Sequence, residues 1–508
     1  MVAGRATSGQ VRVTGLRGHL RGHQPFLVAL ALAVLVRVSV VVAFPPGFVF
    51  SDGPTYLGLV DDLQPLADRA VGYGFLLDAL DAVSRSVWLV TAVQHVLGLL
   101  TGVVLYALLR RRSVPSQLAT LATLPVLFDA MQLSLEHSVL SDVLFDLLVV
   151  AGVAALAWYR SPRMPNAALA GLLLGAAVCV RVVGQPLVVV AVVFCLWAAS
   201  TWRARLATAL VVVVGFAVPV SAYTAWYHAQ HDVWAMSESG GRALYMRTTG
   251  FVDCTRFSVP AYERPLCPAE PLGSRLDPTE YGWHTPDGTH GLQPPPGVTL
   301  DEAMRDFAER AIRAQPGAYA RIVARDLMLN FTVPRIDRYE YDTASKWRLQ
   351  TYEEFEQTGW TRPAYLAHGG YLLEAEQPLA GWLGWYGFTV YAWGPLLFLL
   401  TLLSVVGLFA PSRWSRGDDG VSRDRSVLFL VLATAAGLLA VPAVTAQFVW
   451  RYQLPFLVLV PAAAVLAVVR LSSRLEIQGT RATPSTDWPN GGVTRRSTKR
   501  VVGTTNRS

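Results

Sequence analysis

Lysine is nearly absent, since Lys346 and Lys499 are the only two among 43 basic residues. Charge of either sign is scarce, at 16% of the chain against 53% hydrophobic residues. A soluble domain carries about 25% charged residues, so this composition excludes one and indicates a polytopic membrane protein. Four cysteines in 508 residues exclude a disulfide-rich scaffold. No phosphate-cradling glycine loop, dinucleotide fingerprint or nucleophile elbow is present, which leaves a soluble nucleotide-sugar or ATP mechanism without support. His228, His231, His284 and His290 lack the arrangement of a zinc site.

What is present is long apolar sequence. About ten stretches reach the roughly 20 apolar residues that a spanning helix needs. They centre on Val34, Gly98, Leu124, Val150, Leu174, Val192, Val213, Leu400, Ala435 and Leu459. The expected fold is an all-α polytopic membrane protein of about ten transmembrane helices, with an outer-face subdomain between spans seven and eight. The spans centred on Leu174 and Val192 are separated only by 181–186, so a re-entrant hairpin there is the alternative.

Five regions follow. Residues 1–24 form a cytoplasmic basic arm, and 25–225 a transmembrane core with a first outer loop at 45–86. An extracytoplasmic segment occupies 226–388, C-terminal spans 389–471, and a disordered cytoplasmic tail 472–508. The segment from Pro25 to Phe44 reads as a retained signal anchor, because no small-residue cleavage site follows it.

The net charge of +7 conceals a split. Trp226 to Trp385 holds 21 acidic and 15 basic residues, so the remainder carries +13. Arg5, Arg12, Arg17 and Arg21 precede the first span, and further arginines gather at 110–112 and 413–425. By the positive-inside rule this is topology and attraction to anionic lipid, not nucleic-acid binding. The arginine bias fits a GC-rich bacterial genome, and hence a bacterial plasma membrane.

The outer segment carries two local signals. Cys254 and Cys267 lie thirteen apart in a polar loop, and on the oxidising side of a membrane that favours a disulfide. Thr299-Leu300-Asp301-Glu302 is a capping box ahead of apolar residues at 300, 303, 304, 307, 308, 311 and 312. Pro316 begins a second helix with Tyr319, Ile322, Val323 and Leu327 on one face. Asn330-Phe331-Thr332 is a glycosylation sequon without meaning in a bacterial protein.

Charged groups at membrane depth are expensive and mark function. Asp52 follows the first span, and the positive-inside rule places it on the outer face. There it can take a proton from an acceptor hydroxyl. Its alternative role is to cap the helix after it. Topology brings Arg37, Glu136, His137, Asp142, Arg181, Arg451 and Tyr452 to the same outer half. Arginine suits a phosphate because its planar fork gives paired, charge-assisted bonds. Arg37, Arg181 and Arg451 are therefore the candidate carrier-phosphate ligands, with Tyr452 beside them. Tyr56, Glu136, His137 and Asp142 are candidates for positioning substrate or acceptor, though Asp142 also suits the cap of the helix it opens. Asp129 and Asp146 are the candidate buried partners of Arg37, and Asp61 and Asp62 suit a solvated face.

The order of these features resembles the GT-C membrane glycosyltransferases, especially the protein O-mannosyltransferase and aminoarabinose transferase branch. The resemblance rests on Arg37 in the first span, Asp52 and Tyr56 in the outer loop, and the Gly72-Tyr73 step. It continues through Gln94-His95-Val96-Leu97-Gly98-Leu99-Leu100, Arg110-Arg111-Arg112 and Leu135 to Asp142. The Gly171 to Arg181 helix, Ala314 to Tyr319 and Arg451-Tyr452-Gln453-Leu454-Pro455 complete it. It departs from the family where Asp52 is followed by Gly53 rather than a second acid, and where Val71-Gly72-Tyr73-Gly74 replaces a proline-rich step. The resemblance implies an enzyme that transfers a sugar from a polyprenyl-phosphate carrier to a glycan, lipid or protein acceptor on the outer face, with Asp52 as base or metal-associated acid. A divalent Mg or Mn ion is compatible with one or two carboxylates, and no other cofactor is implied. The rival readings are a transporter or flippase for a lipid-linked precursor and an inactive scaffold in envelope assembly. The first predicts internal repeats, and no repeat is evident.

Overall fold

The computed structural model describes residues 8–284, 291–337, 343–349, 361–369, 374–410 and 419–481. The chain opens with α1 (Ser8–Ala43), α2 (Gly53–Gly58), α3 (Gly72–Asp81), α4 (Val87–Arg111), α5 (Ser116–Phe128) and α6 (Ala130–Glu136). It continues with α7 (Asp142–Ala157), α8 (Met164–Val180), α9 (Leu187–Ala198) and α10 (Trp202–His231). The outer segment supplies α11 (Gly240–Thr249), α12 (Leu300–Ala314), α13 (Pro316–Leu329) and α14 (Thr361–Ala367). The last four are α15 (Leu379–Thr389), α16 (Gly394–Phe409), α17 (Asp419–Thr445) and α18 (Leu454–Arg481). Among the described residues there is no strand, only isolated bridges pairing Phe48 with Ser138 and Leu66 with Arg69. Contacts divide the chain into a unit of Met1–Arg470 and a short unit from Leu471, whose described part is the end of α18.

Each of the ten expected span centres lies on a helix, but five helices are long and apolar enough to cross a membrane alone. These are the Gly22–Ala43 part of α1, α4, α10, the Arg425–Thr445 part of α17 and Trp450–Ser472. Counting each bent pair, α5 with α6 (53°) and α15 with α16 (47°), as one span gives seven. The shortfall from ten lies in α7, α8 and α9, of 16, 17 and 12 residues, below the length of a perpendicular span. Two boundaries also differ from expectation. Helix α1 begins within the basic arm and carries Pro25 inside it, and α18 runs into the expected tail as far as Arg481. The remainder of that tail, 482–508, lies outside the described residues.

The bend between α5 and α6 has a local cause. Asp129 leaves helical conformation (φ −62°, ψ 132°), and its carboxylate accepts from Met131 N (2.8 Å) and Gln132 N (3.4 Å), capping the new helix α6. Its second oxygen accepts from Ala392 N at 2.6 Å, which ties the break to the linker between α15 and α16.

Helices α8 and α10 meet backbone to backbone. A Cβ on Gly171 would fall 2.4 Å from Val212 O, one on Gly175 2.5 Å from Phe216 O, and one on Gly215 2.7 Å from Ala168 O. Small residues admit such close approach where lipid supplies little hydrophobic drive between helices. Arg112, at the end of α4, donates to the carbonyls of Ala157, the last residue of α7, and of Tyr159 just beyond it, pinning that end of the helix.

In the outer segment the capping box forms. Thr299 N donates to Glu302 Oε2 (2.8 Å), and Glu302 N donates to Thr299 Oγ1 (3.2 Å). Ala303, Met304, Phe307 and Ala311 then pack with Tyr245, Val252 and Leu266 in a satellite core, beside the bonded pair Cys254–Cys267. Helix α13 departs from its expected apolar stripe, because its buried face is Ile322, Asp326 and Leu329. Asp326 is admitted there by Arg247, whose Nη1 donates to Asp326 Oδ2 at 2.7 Å and to Ala443 O at 3.1 Å.

Candidate active site

Asp52 occupies the N-cap position of α2, yet its side chain makes no cap bond. The carboxylate instead accepts from two arginines far apart in sequence: Arg69 Nη1 on Oδ1 at 2.6 Å and Arg451 Nη2 on Oδ2 at 2.7 Å. About a quarter of the Asp52 side chain is still exposed (25%). Burial pushes its carboxyl up, but the Arg451 and Arg69 guanidiniums outweigh burial and hold it well below the usual carboxylate range. Asp52 is therefore a carboxylate at any physiological pH.

Arg69 is itself held, because Asp68 Oδ2 accepts from its Nε (2.9 Å) and Nη2 (2.6 Å). Its guanidinium lies 5.9 Å from the Tyr56 ring centroid. Burial and the Asp52 charge together raise the Tyr56 hydroxyl above its ordinary pKa, so it stays protonated. That hydroxyl donates to Ser141 Oγ at 3.4 Å.

Arg451 is presented by the short turn Trp450–Gln453 ahead of α18. It lies 5.1 Å from the Trp347 ring and 5.7 Å from Tyr452. Its Nε and Nη1 are buried and have no hydrogen-bond partner among the described residues, so two of its three nitrogens are uncommitted. Arg181 follows the last turn of α8, pairs with Asp142 Oδ2 at 2.6 Å and lies 5.5 Å from the Tyr452 ring. Asp142, Asp146, Arg181, Arg451 and Tyr452 line a cavity of about 20 Å³, with Phe145, Leu438 and Pro442 among its apolar walls. That is room for about one water.

The structure thus brings together Asp52, Tyr56, Asp142, Arg181, Arg451 and Tyr452. It sets Arg37, Glu136 and His137 in a second, fully internal cluster. Arg37 Nη2 donates to Glu136 Oε1 at 2.7 Å and to Val126 O at 3.1 Å, and its Nη1 donates to the carbonyls of Ala33 and Leu127. Glu136 also accepts from Gln132 Nε2 (2.9 Å), and its Oε2 meets His95 Nδ1 at 2.8 Å. His95 Nε2 lies 3.2 Å from His137 Nδ1, and His137 Nε2 lies 2.6 Å from Phe44 O. The partner of Arg37 is therefore Glu136, where Asp129 and Asp146 were the expected candidates. With Glu136 and His137 wholly buried, the surface they offer a substrate is nil in this conformation.

The proton arrangement of this chain follows from chemistry. A carbonyl only accepts, so His137 donates from Nε2 and, as a neutral ring, accepts at Nδ1. His95 then donates from Nε2, and one proton must lie between His95 Nδ1 and the Glu136 carboxylate.

Sequence reasoning did not single out Arg69, which no motif marks, or Trp347, which lies in a polar loop. Asp68 beside Arg69 was the available signal. The donor set does not suit a divalent metal: both oxygens of Asp52 face guanidiniums, and Asp142 is paired with Arg181. Among the described residues, no three His, Cys, Asp or Glu side chains gather in a metal-binding group.

No family model and no curated relative matches the sequence. Among solved structures, two that this chain is similar to are the following. One is the archaeal oligosaccharyltransferase AglB from Archaeoglobus fulgidus, in complex with an inhibitory peptide and a dolichol-phosphate. Its TM-score is 0.41 at 12% identity, over 91% of this chain and 52% of that one. The other is ArnT from Cupriavidus metallidurans bound to undecaprenyl phosphate, with a TM-score of 0.34 at 15% identity, over 90% of this chain and 81% of that one. The chain spans about half the length of AglB.

Proposed function

We propose that this chain is a membrane glycosyltransferase that moves a sugar from a polyprenyl-phosphate carrier to an acceptor hydroxyl on the outer face. The observation that carries the reading is the Asp52 carboxylate held by Arg69 and Arg451 beside a cavity that Arg181 also enters. A base for the acceptor and cations for a phosphate leaving group stand together, at the ends of apolar helices that can flank a lipid chain.

In the proposed reaction the carrier phosphate takes the uncommitted nitrogens of Arg451 together with Arg181. Drawing Arg451 toward the phosphate weakens its hold on Asp52, whose basicity rises as the donor arrives. The acceptor oxygen bonds to the anomeric carbon and its proton passes to Asp52. The bond from that carbon to the phosphate oxygen breaks, and its electron pair leaves on the carrier phosphate with inversion at the sugar. Tyr56 and Ser141 lie where they can orient the acceptor.

The test is transfer from radiolabelled polyprenyl-phosphate sugars in purified membranes, comparing wild type with Asp52→Asn at matched expression. Loss of a general base costs about 10²- to 10⁴-fold, so the variant should lose at least about 100-fold in rate while still binding undecaprenyl phosphate. Equal rates would remove Asp52 from the chemistry. A wild type silent with every donor would overturn the transfer reading and favour a flippase or scaffold.

A further inference from the structure

Asp52 and Asp142 belong to different loops, and the same short piece of backbone joins those loops. Phe48 N donates to His137 O (2.8 Å) and Val139 N donates to Phe48 O (2.9 Å), a parallel bridge between Phe48 and Ser138. Each bridge residue lies four positions ahead of its acid, Phe48 before Asp52 and Ser138 before Asp142. Whatever fixes this bridge fixes the spacing of the two carboxylates.

One wholly buried side chain on α4 sits over the bridge. Gln94 Nε2 donates to Ser138 O (2.6 Å) and to Glu136 O (3.0 Å), while its Oε1 accepts from Tyr73 OH (2.8 Å). Both amide protons are used, so the orientation of the amide is determined by its partners. Through Tyr73 it reaches the other loop as well. The Tyr73 ring packs edge-to-face on Tyr56, 5.1 Å between centroids, and Tyr56 lies one turn beyond Asp52 and bonds Ser141 next to Asp142. The remaining supports are one distant clamp and one near one: Tyr365 OH accepts from Val49 N (2.7 Å) and donates to Gly47 O (2.8 Å), on either side of Phe48. Thr91, one turn before Gln94, donates to Pro46 O (3.2 Å), and Gly47 (φ +129°) leaves no room for a side chain against it.

We infer that Gln94 is a positioning residue, whose amide couples the Asp52 loop to the Asp142 loop and so sets the geometry in which the two acids act. This rests on the transferase reading for its rate readout only; the coupling itself is a property of the fold.

The test uses the full-length protein in detergent, with Gln94→Met and the milder Tyr73→Phe, which removes only the hydroxyl docked on Gln94. Hydrogen exchange by mass spectrometry reports on segments 44–52 and 137–142 without reference to activity. We expect exchange in both segments to rise about tenfold in Gln94→Met, with the other helices unchanged and a smaller rise of the same pattern in Tyr73→Phe. A displacement of about 1 Å at a reacting group costs about 100-fold, so kcat should fall by that order while KM changes little. Exchange rising throughout the helices with a lowered melting point would overturn the inference, as would unchanged exchange in the two segments. A wild type without transfer activity, in which Gln94→Met still loosens both segments together, would support the coupling and overturn the transferase reading.

Discussion

Replacing Gly98 by alanine sets two effects of opposite sign against each other. Gly98 lies inside α4, where exchanging glycine for alanine ordinarily stabilises a helix by about 1 kcal/mol. Here the added Cβ would fall 1.8 Å from Glu136 Oε1 and 2.4 Å from Cδ. A carboxylate at the end of a flexible side chain would normally swing aside at little cost. This one is held by Arg37, Gln132 and His95, and every residue of that cluster is nearly or wholly buried. Moving it leaves the Arg37 guanidinium without its counter-charge, and breaking a buried pair costs about 3–5 kcal/mol. Against the propensity gain, the net expectation is a loss of about 2–4 kcal/mol. The assay is thermal unfolding of the full chain in detergent, with Gly437→Ala as control, since a Cβ there meets nothing within 4 Å. Gly98→Ala as stable as Gly437→Ala would show that the cluster around Glu136 yields freely, and the argument from its partners would fail.

Two further outcomes follow from the ion pairs. Arg69→Gln removes one of the two cations that hold Asp52 ionised, so the Asp52 pKa rises. The proton-accepting form is lost from the acid side, and the acid limb of kcat/KM should move to higher pH, while the wild type shows no Asp52-linked decline above about pH 4. The same depressed pKa contributes stability that is present above the unfolded carboxyl value, about 3.9, and is lost as pH falls through the folded one. An acid limb that stays in place would show that Arg69 does not govern Asp52. In the outer segment, Arg247→Met alone should cost about 3 kcal/mol, the low end for a broken buried pair because Arg325 Nε stays 3.5 Å from Asp326 Oδ1, whereas Arg247→Met with Asp326→Leu should recover most of it. Equal losses in chemical unfolding for the single and double variants would refute the pairing argument.

Much of the fold could be read from the sequence because apolar length is a local property. Every expected span centre lies on a helix, and Thr299 caps α12 through Glu302 as the spacing implied. Span count was less legible: α7, α8 and α9 are apolar but short, and Asp129 breaks a stretch that reads as continuous. The site could be read only in part. Asp52 and Arg451 stand out one at a time as charges beside apolar runs, but that they hold each other is a contact across 399 positions. Arg69 lies among ordinary loop residues and becomes informative only when its partner is known. Arg37 and Glu136 stood out for the same reason as Arg451, a charge at depth, and sequence does not say which such charges face a cavity and which face each other.

The glycine contact between α8 and α10 has a consequence at a distance. Gly175 precedes Arg181 by six residues, about 9 Å along a helix at about 1.5 Å per residue. Over that lever arm, a tilt of about 10° at the seam would carry the Arg181 backbone about 1.5 Å, by the same helical rise. The three glycines carry no charge and no reactive group, yet the seam acts as a bearing surface machined to zero clearance, and the aim of the arginine at its far end depends on that fit.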